Sequence, residues 1–173
     1  MIGKKTIGIV FGRFIRYDAA NMAAVDRSVA ENNETFIGVS GCDMDPGRDT
    51  LPFLRRVRLM RDIFQCRPDI RIAEIDEDGL DLEGRDETDK WRAWAERLFQ
   101  AAVRSPERTE LYDYTWYVRT EQQAEMIRAV FPEHKTVLLD PVPGTAGMHP
   151  MFEAAIRKNE AARNRHDMKG GAE

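Results

Sequence analysis

Just after the first strand-like run the chain reads Gly12-Arg13-Phe14-Ile15-Arg16-Tyr17-Asp18-Ala19-Ala20-Asn21, two guanidiniums and a carboxylate where a helix should begin. Arginine gathers again between residues 48 and 71, where Arg48, Arg55, Arg56, Arg58, Arg61, Arg67 and Arg71 outnumber Asp49, Asp62 and Asp69. Local basic stretches on a chain with 26 basic and 30 acidic residues, net charge -4, suit a phosphate-bearing small molecule. A nucleic-acid duplex asks for a broadly basic face, so no nucleic-acid partner is expected. The plainer reading of the same charges is a solvated helix face. The first turn carries neither GxGxxG nor a P-loop pattern, so a dehydrogenase-type dinucleotide binder and a P-loop enzyme lose their main support.

Other reactive side chains are scattered. His134, His149 and His166 share no metal-ligand spacing, and Cys42 and Cys66 form no CxxC, so no protein-held metal site is expected and a reducing cytoplasm is the expected compartment. No apolar run approaches the roughly 18 residues of a membrane span. The nine acidic residues between Glu74 and Asp89, against Arg85 alone, read either as a solvated loop or as a lid.

The elements that must position these groups are legible in the hydrophobic pattern. Strands are expected at Thr6–Phe11, Thr35–Val39, Ile70–Ile75, Tyr112–Val118 and Thr136–Leu139, and helices at Asp18–Glu31, Thr50–Gln65, Asp86–Arg104 and Thr120–Phe131. In the third helix Trp91, Trp94, Ala95, Leu98, Phe99 and Ala102 fall on one stripe, which puts Trp94 in the core and Trp91 nearer a ligand. Thr120-Glu121-Gln122-Gln123 is a capping-box pattern, and Pro132 ends that helix. Regular strand–helix alternation predicts a doubly wound, Rossmann-like five-stranded parallel sheet. One domain is expected over residues 1–160, with a last helix from Pro150 burying Phe152, Ala155 and Ile156, and a polar, frayed tail over 161–173. Ligands in such folds sit outside the carboxyl ends of the strands, where the strand order switches.

The first turn resembles that of the HIGH-motif nucleotidyltransferases, and of nicotinamide mononucleotide adenylyltransferases in particular, which write Gly-Arg-Phe-x-Pro-x-His-x-Gly-His there. Gly12, Arg13 and Phe14 match; Arg16 stands for the proline, Asp18 and Asn21 for the histidines, Ala20 for the glycine. Three further stretches are similar in order. Val39-Ser40-Gly41 leads into Gly47-Arg48-Asp49-Thr50-Leu51-Pro52-Phe53 and Arg58, Trp91-Arg92-Ala93-Trp94 looks like the family's Trp-x-x-Trp helix, and Pro143-Gly144-Thr145-Ala146-Gly147-Met148 lies where the family has Ser-x-Thr-x-x-Arg. The resemblance runs from Ile7 to about Pro150.

The resemblance implies adenylyl transfer from ATP with Mg²⁺, in which the protein positions phosphates and stabilises their developing charge. It assigns phosphate or nucleotide contacts to Gly12, Arg13, Phe14, Ser40, Arg48, Arg58, Gly144 and Thr145, and stacking on a substrate ring to Trp91. Arg16, Asp18, Asn21 and His149 then take the catalytic positions. Asp18 puts a carboxylate where a donor is needed, Asn21 keeps one amide donor, and Met148 has lost the guanidinium altogether. Compensation would come from Arg16, from a protonated His149, or from Asp18 as an Mg²⁺ ligand; the plainer roles are solvated loop, helix cap and helix cap. The altered letters favour a nucleotide-binding protein with weakened or lost catalysis. The alternatives are an active, divergent adenylyltransferase and a non-enzymatic scaffold on this fold; homo-oligomers are common in the family.

Overall fold

The computed structural model describes residues 3–41, 51–78, 80, 83–103, 106–142 and 147–170. Five strands, β1 (Lys5–Gly12), β2 (Glu34–Gly41), β3 (Ile70–Asp76), β4 (Tyr112–Val118) and β5 (Lys135–Leu138), form one sheet in the order β3-β2-β1-β4-β5. All neighbours are parallel. The helices are α1 (Ala19–Glu31), α2 (Phe53–Ile63), α3 (Glu87–Ala102), α4 (Glu121–Val130) and α5 (Pro150–Gly170). A 3-10 turn, Pro106–Leu111, leads into β4 and has no counterpart in the sequence pattern.

Strand alternation decides which helix packs where. Ile7 and Ile9 of β1 join Phe36, Trp116 and Val118 under α3 and α4. Val10 joins Ile37, Val39 and Tyr117 under α1, α2 and the first turns of α5. Between these helix layers the middle of β1, Ile7 to Val10, is buried, as a central parallel strand must be. At Gly8 the approach of α1 leaves no room for a side chain: a Cβ there would overlap Ser28 Oγ and lie 2.6 Å from Asn32 Nδ2.

Three caps set the helix starts around the sheet's carboxyl edge. Asp18 accepts from Asn21 N at 3.0 Å, Asp86 from Asp89 N at 2.8 Å, and Thr120 from Gln123 N at 3.1 Å. Gln123 Oε1 reaches back to Arg119 N at 2.9 Å, so the expected capping box closes one residue early. In α5 Phe152 and Ala155 are buried and Ile156 half-buried, and the helix runs through Gly170. Trp94 also departs from expectation: it is half-buried, not a core residue.

At the opposite edge, His134 Nδ1 accepts from Trp116 Nε1 at 3.0 Å and its ring stacks on Phe131 at 4.7 Å. Burial pushes this imidazole below its ordinary value, with Glu133 pulling the other way. A depressed histidine contributes stability above the unfolded-state value of about 6.5 and loses it as pH falls through the native value. Urea midpoints therefore fall between pH 7 and 5, and His134→Gln, which cannot titrate, flattens the part of that slope due to this ring.

Candidate functional site

After β3 the chain crosses back over the sheet and adds β4 on the other side of β1, so the connections from β1 and β4 leave in opposite directions. That is where a doubly wound sheet opens a crevice. A cavity of about 780 Å³ lies there. It is bounded by the ends of β1, β2 and β4 and the starts of α1, α3 and α4.

The first turn forms its floor. Phe14 holds a left-handed backbone (φ 49°), unusual for a bulky residue, and is only 3% exposed. Its ring packs toward Tyr17 at 6.2 Å, so Phe14 shapes the turn from the core side while touching the cavity. Arg56, on α2, secures the turn from beneath. This fully buried arginine donates from Nε to Arg13 O at 3.0 Å and from Nη1 to Leu51 O at 2.6 Å, with its guanidinium 5.8 Å from the Phe53 ring.

The catalytic candidates divide. Asp18 lines the cavity and caps α1. Asn21 is 8% exposed and committed at both ends: Nδ2 donates to Arg16 O at 2.6 Å, and Oδ1 accepts from Arg119 Nη2. Arg16 borders the cavity. His149 does not; its Nδ1 accepts from Met151 N at 3.2 Å, its ring lies 5.6 Å from the Tyr17 ring, and its backbone N–H donates to Tyr17 O at 2.8 Å. The structure thus gives His149 the capping role at α5. Met148, which the resemblance aligns with a lost arginine, pairs its backbone with Asp18 and packs into the core under α5.

Among the binding candidates, Gly12, Arg13, Phe14, Ser40 and Trp91 border the cavity. Arg58 does not, standing exposed on α2. Arg48, Gly144 and Thr145 lie outside the described residues. Arg13 Nη2 is 3.2 Å from Glu77 Oε2. Glu77 and Leu80 bring part of the acidic stretch onto the cavity wall. On the α3 side Trp91 and Trp94 meet edge to face at 5.4 Å, and Trp94 meets Phe11 at 5.1 Å, an aromatic wall suited to a flat ring. Tyr117 also borders the cavity, but its hydroxyl donates to Glu31 and accepts from Asn32, and burial pushes it up to about 12, so it is no base near neutrality.

Sequence reasoning missed Arg56, Arg119, Glu77, Lys90 and Trp94. Arg56 had a signal: with Phe53, Val57 and Met60 it completes an i, i+3, i+4, i+7 stripe, the buried face of α2. Arg119 had only its place between a strand end and a capping threonine.

Among the described residues no three His, Cys, Asp or Glu side chains converge on a metal position. A phosphate-bound Mg²⁺ needs only one or two carboxylates plus phosphate oxygens and water, and Asp18 offers one beside the first turn.

No family model matches the sequence, and no curated protein matches it. Solved structures do match in shape. A NadR protein in complex with NR aligns with TM-score 0.65 and 24% identity, over 80% of this chain and 38% of that one. A NadR protein in complex with NAD and AMP-PNP gives 0.61 and 23%, over 92% and 43%. A bifunctional NMN adenylyltransferase/ADP ribose pyrophosphatase from Francisella tularensis gives 0.62 and 12%, over 82% and 39%. The chain spans about two fifths of the length of each. Its five parallel strands and flanking helices share the fold of these NadR and NMN adenylyltransferase structures.

Proposed function

We propose that the chain binds a nucleotide in the crevice between β1 and β4, and that adenylyl transfer there is weakened or lost. The observation that carries this reading is Asp18: a carboxylate at the mouth of α1, on the cavity wall, where phosphates would meet a helix N-terminus. Adenylyl transfer works by stabilising charge that grows on phosphate oxygens, and an anion there opposes it. Asn21 gives its amide to holding the turn together, and His149 to capping α5. The NadR structures that hold NR, or NAD with AMP-PNP, support a nucleotide as the ligand class. In the active alternative Mg²⁺ would neutralise phosphate charge, with Asp18 as the carboxylate that this chain supplies.

Calorimetric titration with ATP, AMP, NAD and nicotinamide mononucleotide, beside a pyrophosphate-release assay with ATP and Mg²⁺, tests the proposal. The expected result is binding without release above a buffer blank. Release with any mononucleotide would establish an active, divergent adenylyltransferase, and no binding at all would leave a scaffold. Asp18→Asn separates charge from capping, because asparagine caps as well as aspartate. Removing one negative charge near the phosphates is worth about 1 kcal/mol at a wet site, so ATP affinity should rise about fivefold with stability unchanged. A fall in ATP affinity that depends on Mg²⁺ would mean that the carboxylate holds the ion, and would favour the active reading.

A further inference from the structure

We propose that Glu77 is a built-in competitor of anionic ligands: its carboxylate occupies the Arg13 guanidinium, and an anion entering the crevice has to open that pair to use Arg13. The inference rests on the reading that the crevice takes a nucleotide, and adds how the chain restrains that binding.

Three carboxylates border the cavity among the described residues: Asp18, Glu77 and Glu87. Asp18 caps its own helix, and Glu87 faces Lys90 one turn along α3 at 3.5 Å. Glu77 is the one whose carboxylate crosses to another element. Its Oε2 accepts from Arg13 Nη2 at 3.2 Å, joining the chain after β3 to the turn after β1, 64 residues apart in sequence.

Exposed ion pairs are weak partly because long side chains must be ordered to make them. Here both backbones are fixed before the side chains meet. Glu77 N donates to Gly41 O at 2.9 Å, which carries the pairing of β3 with β2 one residue past its end, and Glu77 O accepts from Leu80 N at 3.2 Å. On the other side Arg13 O accepts from Arg56 Nε at 3.0 Å. The same guanidinium reaches Gly41, where an added Cβ would lie 2.8 Å from Arg56 Nη2, so one buried side chain braces both ends of the pair. The Glu77 side chain is only 25% exposed, and a partly buried charge is screened less than an open one.

Competition follows. A phosphate that approaches Arg13 meets a guanidinium whose charge is already balanced, beside a carboxylate that repels it. It binds there only if it gains more from Arg13 than Glu77 loses. A neutral ligand makes no demand on Arg13, so the pair discriminates by charge and leaves uncharged compounds untouched.

The test is calorimetric titration of wild type, Glu77→Asp, Glu77→Gln, Arg13→Ala and the two double variants with ATP, inorganic pyrophosphate and adenosine, each protein first shown by thermal melting to be folded. Aspartate keeps the charge but is one methylene too short to hold Arg13, so it separates competition from plain repulsion. Glu77→Asp should bind ATP and pyrophosphate about two- to fivefold more tightly than wild type, the worth of an exposed pair. Glu77→Gln also removes the repulsion and should gain about five- to twentyfold. Without Arg13 the aspartate gain should vanish and the glutamine gain shrink to its repulsive part, while adenosine binds every variant alike. Wild type that binds ATP no less tightly than Glu77→Asp, or gains that persist in full with Arg13→Ala, overturns this proposal and leaves nucleotide binding standing. Absence of binding for every probe and every variant overturns both.

Discussion

Arg56→Met is expected to lower unfolding stability by about 3 kcal/mol, which at this chain length is a drop of roughly 6–12 °C in melting temperature. Methionine matches the aliphatic stem of arginine and fills the same space, so the loss isolates the guanidinium. Two carbonyls, the part-buried Arg13 O and the buried Leu51 O, lose charge-assisted donors from a side chain with no exposed surface. The Phe53 ring loses its cation as well. Damage should spread to ligand binding, because Arg13 O belongs to the turn that floors the cavity; nucleotide affinity should fall at least tenfold. Arg56→Lys keeps the charge but cannot span both carbonyls with one fork, so about half the stability loss should remain. Urea unfolding and calorimetry on the same preparations measure both effects. If methionine leaves stability within 0.5 kcal/mol, as a neutral surface change would, the anchoring role of Arg56 is wrong.

Gly8→Val is expected to be costlier still. Even alanine would drive its Cβ into Ser28 Oγ and to 2.6 Å from Asn32 Nδ2. Neither side chain can yield cheaply. Ser28 Oγ is bonded to Thr35 Oγ1 at 2.8 Å, and Asn32 Nδ2 donates to Ser28 O at 2.9 Å and to the Tyr117 hydroxyl at 2.8 Å. Backing α1 away opens space over β1, and turning either side chain leaves buried polar atoms without partners. Overpacking of about 1–3 kcal/mol plus one or two broken buried hydrogen bonds gives about 3 kcal/mol for alanine and 4 or more for valine. Ser28→Ala removes the first clashing atom, so Gly8→Ala with Ser28→Ala should be less destabilised than the sum of the single changes. Strict additivity in chemical denaturation would show that helix and strand are not in contact there.

The order of elements was legible because each depends on its own short stretch of chain. Alternating β-branched runs, a capping threonine and the α3 stripe announce themselves within a few residues, and the five strands fall within a residue or two of their expected limits. The place of the crevice followed from strand order. Its working parts were less legible, because their roles depend on partners far away in sequence. Asn21 looked like a degraded catalytic letter, but its partner Arg119 is 98 residues further on, and together they tie β4 to the first turn. Arg56 and Arg58 are the same residue type two positions apart; helical phase buries one and exposes the other. For His149 the sequence left two roles open, a substitute for the lost arginine and a cap beside Pro150; in the fold it stands off the cavity lining, with its ring accepting from Met151 N at the start of α5.

The position of β1 has a consequence for how the chain is made. Thr6 pairs on one side with Asp113, whose codon is translated more than a hundred residues later. At synthesis rates of about 5–20 residues per second, that neighbour arrives roughly 5–20 s after β1. Throughout this interval β1, β2 and β3 can pair, but the inner margin of β1 faces outward as a bare strand edge beside Ile7 and Ile9, which end completely buried. The margin beside which the switch-point cavity opens is thus the one the nascent chain exposes longest, and a ribosome stalled between β3 and β4 would present a sticky half-sheet to chaperones.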